Sequence, residues 1–342
     1  MNLSKYQCPN CRKSDLHADK TVWSCQNCGQ QYPCIKGIPR LYVENALGEK
    51  DRELRDRFYN SFLGTYYQHV MPFLSLPARP AKQYWKGWLV YVLVVLFTVS
   101  LITYLTTLTL TKGLEAPITQ LTFLLILFGI FFFLFKHSYL FFLFLLALPV
   151  KISLLLKRFQ PAQNFQEIHA NILKDLLART DKLQLLDIST GTCNSLYRHG
   201  WMNLNADYTG LDLSETMLLQ GQKLMAERHV PIDLILGDAS RLPFAGESFD
   251  VVLNYGALNG FTNPKLALEE MARVTKKGGV VLFLDEQLYE RATPVERFYF
   301  EKVLSSHNVI HRCPVELIPA SLTEITVHQV YHFYYICTAY KR

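Results

Sequence analysis

The C-terminal half of the chain predicts an open, mostly parallel α/β sheet. Strand-like and helix-like segments alternate over residues 165–342, and each strand-like segment ends in a loop that holds a polar or glycine residue. A helix before the last strand should have Asn263 as its N-cap and Pro264 in its first turn, and should end at Gly278. The predicted strands are 183–188, 208–213, 232–236, 249–254 and 280–284.

Charge is distributed unevenly between the two halves of the chain. Residues 1–159 hold 18 Lys and Arg against 8 Asp and Glu, whereas residues 160–342 hold 17 against 21. A basic tract beside an apolar one is typical of a surface that faces a membrane. The acidic C-terminal half argues against binding to a phosphate backbone, so we do not expect nucleic acid as a partner.

Two Cys-x-x-Cys pairs near the N-terminus indicate a metal site. The four cysteines are Cys8, Cys11, Cys25 and Cys28. Thiolates at this spacing are typical of a closed, tetrahedral Zn²⁺ site of the structural kind. The segment is too small to fold on its own core, so the metal should supply its folding energy. Two disulfides in an oxidising compartment are the alternative, and a redox role is disfavoured because neither pair opens a βαβ unit.

Residues 85–156 are the candidate membrane segment. Two apolar stretches, 85–111 and 118–140, flank a short polar turn, and a spanning helix needs about 20 such residues. Residues 139–156 either extend the second helix or lie at the membrane interface. A buried helical hairpin in a soluble protein is the alternative, although few soluble helices are apolar on every face.

The flanks of this hairpin predict its orientation. Basic residues precede it at 79–86 and follow it at 151–158, and such residues favour the cytoplasmic side. The first eleven residues lack the apolar core of an export signal. We therefore expect a two-span membrane protein that has the lipid bilayer as a partner and keeps both its zinc site and its catalytic half in the cytoplasm.

The predicted strand ends indicate a nucleotide-like site. Gly191, in the loop after the first strand, lets the backbone pass close to a ligand. Asp187 and Asp212 end neighbouring strands, and the carboxylate at the second strand end is placed to accept hydrogen bonds from both hydroxyls of a ribose. Asp238, after the third strand, can accept from the exocyclic amine of an adenine. A glycine-containing loop alone would equally fit a dinucleotide site.

Four blocks of sequence, in order, carry a family resemblance. They are LLDISTGTC at 185–193, GLDLSETML at 210–218, LILGDASRLPFAGESFDVVLNYGAL at 234–258 and EMARVTKKGGVVLFLDE at 270–286. These blocks resemble the class I methyltransferases that use S-adenosylmethionine, of the broad type that includes the ubiquinone/menaquinone C-methyltransferases. The resemblance implies a Rossmann-like sheet, here with an N-terminal zinc ribbon and an inserted two-helix transmembrane hairpin.

The resemblance implies that Asp187, Ser189 and Gly191 line the methionine part of S-adenosylmethionine. Asp212 would hold the ribose of this cofactor. The first loop of the family is usually Gly-x-Gly-x-Gly, and this chain departs from it by having Ser189 and Cys193 in place of glycines. Both side chains are small, so we expect the loop to form.

The same resemblance extends the cofactor site to further strand ends. Met217 would pack near the adenine, and Asp238 with Ala239 would read the adenine edge. Asn254 would close the pocket at the fourth strand. Leu213, next to Asp212, belongs to the same set of cofactor-binding residues.

Two more stretches resemble parts of this superfamily. YPCIKGIPRLY at 32–42 resembles the end of a ribbon often fused ahead of class I methyltransferases, including some that modify ribosomal RNA. RFYNSFLGTYYQHV at 57–70 resembles the Tyr-containing helix that caps the cofactor. The predicted organisation is a zinc ribbon at 1–45, a cap-like helix and linker at 46–84, the hairpin at 85–156 and the methyltransferase domain at 157–342.

The predicted function is methyl transfer at the membrane with S-adenosylmethionine as donor. The hairpin favours an apolar or amphipathic acceptor such as a quinone, an isoprenoid or a phospholipid head group. The alternatives are an RNA methyltransferase guided by the ribbon and a non-catalytic membrane scaffold. No residue stands out as the catalytic base, and the candidates at the pocket mouth are Tyr66, Tyr67, His69, Tyr255, Asn259, Glu286 and Tyr289.

Overall fold

The computed structural model describes residues 3–65, 165–292, 294, 297, 300, 301, 311–330 and 333–342. The chain divides into two compact units, one made of Met1–Tyr67 and Phe159–Arg342 and the other of Gln68–Arg158. All described elements belong to the first unit. The second unit lies outside the described residues.

The N-terminal segment, residues 3–41, is a small antiparallel ribbon. Each of its strands pairs with the next along the chain. Gly37, at the turn between the last two strands, has φ +84°, a conformation that glycine adopts without a steric penalty. The strands are β1 (Leu16–Ala18), β2 (Val22–Cys25), β3 (Gln31–Ile35) and β4 (Ile38–Leu41).

Five parallel strands form the centre of the sheet. They are β5 (Leu183–Ile188), β6 (Ala206–Asp212), β7 (Ile232–Gly237), β8 (Phe249–Tyr255) and β9 (Thr275–Glu286). Two C-terminal strands, β10 (Leu322–Val330) and β11 (Tyr334–Lys341), complete it, and β11 lies antiparallel between β9 and β10. The ribbon joins the other edge, because β4 pairs in parallel with β7.

The order of strands across the described sheet is β1-β2-β3-β4-β7-β6-β5-β8-β9-β11-β10. The strand order reverses at β5, which has β6 on one side and β8 on the other. Such a switch point leaves a crevice at the carboxyl ends of the strands, where open α/β sheets bind ligands. The mixed sheet is therefore Rossmann-like, with its switch point at the strand that carries Asp187.

The helices are short, and the predicted N-cap Asn263 is confirmed. The side chain of Asn263 accepts a hydrogen bond from the Leu266 amide, as expected of an N-cap. The predicted stop at Gly278 is wrong, because this helix ends at Val274, and Gly278 lies inside β9. The described helices are α1 (Glu49–Glu53), a π-helical turn (Leu54–Tyr59), α2 (Phe62–Thr65), α3 (Phe165–Leu177), α4 (Asn194–Arg198), α5 (Glu215–Glu227) and α6 (Pro264–Val274).

Apolar side chains cover both faces of the central sheet. Neighbouring residues of one strand point to opposite faces, so Leu185 belongs to one buried cluster and Leu186 to the other. The Leu186 cluster also contains Cys8, Trp23 and Cys25 from the ribbon. The ribbon and the parallel sheet therefore share one hydrophobic core.

The membrane prediction requires a correction. Within the ranges that the structure describes, no helix is long and apolar enough to cross a membrane. The longest helices there, α3 and α5, have 13 residues each. At 1.5 Å per residue this is about 20 Å, which is shorter than a hydrocarbon core of about 30 Å. The predicted two-span membrane location is therefore wrong. The apolar stretches on which it was based, 85–111 and 118–140, lie outside the described residues.

Candidate functional site

The carboxyl ends of four parallel strands bring the predicted cofactor residues to one edge of the sheet. Asp187 lies near the end of β5, Asp212 ends β6, and Asp238 directly follows β7. Asn254 lies near the end of β8 and is the registered partner of Ile188 in β5. The loops that follow these strands therefore surround one crevice.

Asp187 is the most deeply buried carboxylate of this crevice. It is fully shielded from solvent, and its Oδ2 accepts a hydrogen bond from Thr190 Oγ1 at 2.6 Å. Its Oδ1 accepts no hydrogen bond from the described residues. Burial raises its pKa to about 7, and the nearby charge of Asp212 adds to the rise. An orphaned buried oxygen is costly unless a donor reaches it, so this atom fits a site for a cationic or N–H-bearing ligand.

In the loop after β5, three residues at every second position have a left-handed backbone, the conformation that glycine adopts most readily. Ser189, Gly191 and Cys193 have φ of 55°, 54° and 58°. These are the positions where the resembling family has its three glycines, and two of them carry side chains here. Left-handed backbone costs an L-residue roughly 1–2 kcal/mol, so Ser189 and Cys193 hold this conformation at a cost in strain.

Asp212 ties this loop to the next strand. Its Oδ2 accepts from the Gly191 amide at 2.8 Å, and its Oδ1 accepts from the Ser214 amide at 2.8 Å. Burial raises the pKa of Asp212, and these amide donors oppose the rise. Each carboxylate oxygen keeps a further lone pair, so the group can still accept hydrogen bonds from a ligand.

Close packing between α5 and the first loop explains two glycines. A Cβ on Gly191 would lie 3.3 Å from Met217 Cε, and a Cβ on Gly221 would lie 2.8 Å from Cys193 Sγ. Met217 is buried beneath the loop. Leu213 is partly buried and lines a small cleft together with residues of the ribbon and of the π-helical turn. The sequence did not single out Gly221, whose role depends on the way α5 packs.

Asp238 caps a short helical turn, Ala239–Arg241. Its Oδ1 accepts from the Ser240 amide at 2.8 Å. Burial raises the pKa of Asp238, while the Ser240 amide opposes the rise. Ala239 is buried behind it. The carboxylate therefore has a defined orientation at the third strand end.

Asn254 and Asn259 brace the crevice at the fourth strand. Asn254 Nδ2 donates to the Ile188 carbonyl at 3.1 Å, and its Oδ1 accepts from the Leu258 amide at 3.2 Å. Asn259, a candidate base, accepts from the Tyr335 hydroxyl at 3.0 Å and donates to the Glu286 carbonyl at 2.8 Å. Both side chains are buried and engaged in hydrogen bonds, which is the behaviour of supporting residues.

Glu286 lies at the end of β9, beside the buried Asp285. Burial, and then the charge of Asp285, raises the pKa of Glu286 to about 10. The rise favours the protonated form of Glu286, which can donate a hydrogen bond. Among the other candidate bases, Tyr289 follows β9 and accepts from the Ala292 amide through its carbonyl, whereas Tyr66, Tyr67 and His69 lie outside the described residues.

A buried polar cluster behind Asp187 was not predicted from the sequence. Tyr255 Oη accepts from Trp201 Nε1 at 2.8 Å and lies 2.6 Å from His169 Nε2. Burial raises the pKa of Tyr255 well above its usual value, so the hydroxyl stays protonated, and the tautomer of His169 decides which of the two groups donates. Trp201 and His169 come from distant parts of the chain, and their spacing in the sequence carries no signal.

The predicted cap-like segment, 57–70, is described as far as Thr65. Asn60 Oδ1 accepts from Ser214 Oγ at 2.7 Å, and the Ser214 amide in turn donates to Asp212. Gln220 of α5 donates to the Gly64 carbonyl at 2.9 Å. This part of the segment therefore lies against the start of α5, while residues 66–70 lie outside the described residues.

The four cysteines of the ribbon converge on one point. Their sulfur atoms all lie within 4.8 Å of one another, with 3.7 Å between Cys8 and Cys28 and 3.6 Å between Cys11 and Cys25. A disulfide needs about 2.05 Å, so these distances exclude disulfides between those pairs. A tetrahedral tetrathiolate with 2.3 Å bonds would have S···S separations of about 3.8 Å, close to those observed.

A family model described as a methyltransferase domain matches residues 186–283. This range contains the second half of β5, all of β6 to β8, most of β9 and all nine predicted cofactor residues. Among curated relatives, a demethylmenaquinone methyltransferase of Renibacterium salmoninarum is 38% identical over 32% of this chain and 43% of its own length. A ubiquinone/menaquinone biosynthesis C-methyltransferase of Roseobacter denitrificans is 35% identical over 33% of this chain and 46% of its own.

Other relatives and solved structures extend the comparison. A phthiotriol/phenolphthiotriol dimycocerosates methyltransferase of Mycobacterium tuberculosis is 44% identical over 23% of this chain and 29% of its own length. This chain thus spans less than half the length of each of these relatives. A Haemonchus contortus phosphoethanolamine N-methyltransferase, solved with S-adenosylhomocysteine, aligns with TM-score 0.42 at 15% identity and covers 51% of this chain and 52% of its own.

The matched range, the Rossmann-like order of strands and the carboxylates at the strand ends agree with one another. The chain contains a class I S-adenosylmethionine-dependent methyltransferase domain. The ribbon is built onto the β7 edge of that domain.

Proposed function

We propose that this protein transfers a methyl group from S-adenosylmethionine to an apolar small molecule. The observation that carries the proposal is the set of three carboxylates, Asp187, Asp212 and Asp238, at consecutive strand ends around a glycine-like loop. The sequence relatives support the donor, since they are methyltransferases of the same domain type.

In this proposal the crevice binds the cofactor along the strand ends. The free Oδ1 of Asp187 accepts from the ammonium of the methionine part, which also passes Ser189 and Gly191. Asp212 accepts from the ribose hydroxyls. The orphaned oxygen of Asp187 and the left-handed, side-chain-free backbone at Gly191 are the features that fit this ligand.

The adenine would lie between the second and third strand ends. Leu213 and Met217 supply the apolar contacts, and Asp238 with Ala239 faces the edge that bears the exocyclic amine. Asn254 holds the loops of the first and fourth strands together at the far side of the pocket. When bound, S-adenosylmethionine supplies a methyl group on a sulfonium, and the residues of this chain orient it and exclude water from it.

The acceptor class is proposed from the curated relatives. Two of them are named for demethylmenaquinone and for ubiquinone/menaquinone biosynthesis, and a third for a dimycocerosate lipid. Buried, neutral groups such as Tyr255 and Glu286 surround the end of the crevice at β8 and β9. Such surroundings suit an apolar acceptor with one polar substituent, because they offer hydrogen-bond donors without a fixed charge.

We also propose that Cys8, Cys11, Cys25 and Cys28 hold a structural Zn²⁺. The sulfur separations fit a tetrahedral tetrathiolate, and Tyr32 Oη lies 3.0 Å from Cys8 Sγ, where a hydroxyl can donate to a bound thiolate. No position is left for a substrate at such a site, so the metal would stabilise the fold.

Calorimetry tests the donor, and labelled transfer tests the acceptor. We expect the purified full chain to bind S-adenosylmethionine, and the absence of binding heat would favour a non-catalytic scaffold. Incubation with methyl-labelled S-adenosylmethionine should label demethylated quinols in a lipid extract and leave total RNA unlabelled. Label in RNA alone would refute the proposed acceptor while keeping the donor.

A further inference from the structure

The loop that follows β7, residues 238–245, is held in place by the N-terminal residues 5–12. The Gln7 amide donates to the Pro243 carbonyl at 3.1 Å, and the Ala245 amide donates to the Lys5 carbonyl at 2.8 Å. Between these bonds Tyr6 pairs with Phe244 as an isolated antiparallel bridge. The first Cys-x-x-Cys turn of the ribbon therefore lies directly against the loop that carries Asp238.

The side chain of Arg12, directly after this turn, also contacts the loop. Its Nη1 donates to Glu270 Oε2 at 2.8 Å and to the Leu242 carbonyl at 3.2 Å. The backbone of Arg12 has φ 62°, and its amide donates to the Cys8 carbonyl at 2.8 Å. A left-handed conformation at a non-glycine residue is costly, so it persists only where surrounding contacts enforce it.

Glu270 of α6 connects Arg12 to the loop, because one of its oxygens accepts hydrogen bonds from both. It is 8% exposed, and the same Oε2 accepts from the Leu242 amide at 2.8 Å. Arg273 donates to both oxygens of this carboxylate. Arg12 and Arg273 thus hold a buried acceptor for the first amide after the turn Ala239–Arg241.

The last residue of the turn, Arg241, is tied to the same part of the ribbon. Arg241 Nη2 donates to the Asn10 carbonyl at 2.7 Å, and the Arg241 amide donates to the Asp238 carbonyl at 3.1 Å. The turn that Asp238 caps is therefore fixed at its C-terminal end by Asn10 and Arg12. Removing either contact should let the Asp238 carboxylate change its orientation.

We propose that Arg12 is a positioning residue that sets the selectivity of the cofactor site for adenine, through Glu270, Leu242 and the turn capped by Asp238. The inference rests on the proposed function, in which Asp238 accepts from the exocyclic amine of the adenine. A ribbon residue then determines which base the methyltransferase domain prefers, although it touches no part of the cofactor.

The test compares two ligands on the full chain. S-adenosylhomocysteine carries the exocyclic amine, and its inosine analogue has an oxygen in that place. The variant Arg12→Asn removes the guanidinium and keeps a residue that tolerates left-handed backbone. We expect its preference for adenine over inosine to fall by about fivefold to tenfold, the usual effect of one lost hydrogen bond. Arg12→Lys keeps the charge opposite Glu270 and should recover part of the preference.

Lys13→Asn is the matched control, because it removes a neighbouring exposed positive charge that makes no contact with the loop. Its selectivity should equal that of the parent chain, and all variants should retain their metal content. A preference unchanged in Arg12→Asn, whatever its melting temperature, would overturn the proposal and leave the proposed function intact. Failure of the parent chain to bind S-adenosylhomocysteine would overturn both.

Discussion

Two loops of the same crevice are held by different means. The loop after β5, residues 189–193, is held locally, by three left-handed residues and by the bond from the Gly191 amide to Asp212. The loop after β7, residues 238–245, contains no residue with positive φ and is held by the ribbon at residues 5–12. One loop stores strain in its own backbone, whereas the other depends on a distant segment of the chain.

The two loops should therefore be sensitive to substitutions in different parts of the chain. A loop held by its own backbone responds to substitutions within it, and a loop held from outside responds to the stability of the segment that holds it. The two loops should therefore be separable by experiment, although they contact one ligand in the proposed site.

Metal removal should give the largest separation. Structural zinc contributes on the order of 10 kcal/mol to the folding of small metal-bound domains, so its loss should unfold the ribbon. In Cys11→Ser we expect the zinc content to fall from one equivalent to none, and hydrogen exchange to accelerate at 238–245 but not at 189–193. Cys34→Ser is the control, because Cys34 lies outside the four-sulfur cluster. Retention of zinc in Cys11→Ser would refute the metal site.

Asp212→Ala should affect the first loop and the ligand together. The substitution removes the acceptor for the Gly191 amide and for the ribose hydroxyls, at a cost of roughly 1.5–3 kcal/mol of binding free energy. Calorimetry should record a dissociation constant for S-adenosylmethionine about tenfold to a hundredfold higher. The control is Asp207→Ala, at the opposite end of β6, where the carboxylate pairs with Lys182. Equal affinities in the two variants would mean that the ribose site lies elsewhere.

The pH dependence of binding should report on Asp187. Its pKa is raised to about 7 in the folded chain, so below that pH the carboxyl must lose a proton before it can pair with an ammonium. We expect affinity for S-adenosylmethionine to fall by about tenfold for each unit of pH below 7. Asp187→Asn should bind weakly with this dependence abolished, and a parallel slope in that variant would assign the titration to another group.

Stability of the ligand-free protein should follow the opposite trend. The ordinary pKa of an aspartate is 3.8, and burial raises that of Asp187 to about 7. The folded state therefore binds the proton more tightly, and this contribution to stability is complete below pH 3.8 and lost as the pH rises towards 7. The difference in unfolding free energy between the parent chain and Asp187→Asn, measured across this range, isolates the effect.

The smallest expected effect concerns backbone strain. Ser189→Gly should relieve roughly 1–2 kcal/mol of left-handed strain and cost about 0.5–1 kcal/mol of backbone entropy, a net stabilisation of about 0.5 kcal/mol. Ala245→Gly, in the loop that the ribbon holds, should destabilise by about 0.5–1 kcal/mol, because it has no strain to relieve. Denaturant titrations of both variants measure the sign. Destabilisation by both substitutions would show that Ser189 is not strained.

Much of the site could be predicted because its signals are local in the chain. Asp187, Asp212 and Asp238 each end an apolar run, and the period of such runs predicts the strands that align them. The Cys-x-x-Cys spacing likewise predicts that the sulfur atoms of each pair lie close enough to bind one metal ion. The membrane location was wrong for a related reason: the length of an apolar stretch alone suggested it, and no described helix supports a span.

Residues a few positions apart encode the five central strands, the carboxylates near their ends and the pairing of the four ribbon cysteines, so these features could be predicted from the sequence. The pairing of the ribbon with β7 and the contact between Arg12 and Glu270 emerged from the folded chain. The contact between His169 and Tyr255 emerged in the same way. These contacts join residues more than 80 positions apart, and no periodicity along the chain encodes which surfaces pack together.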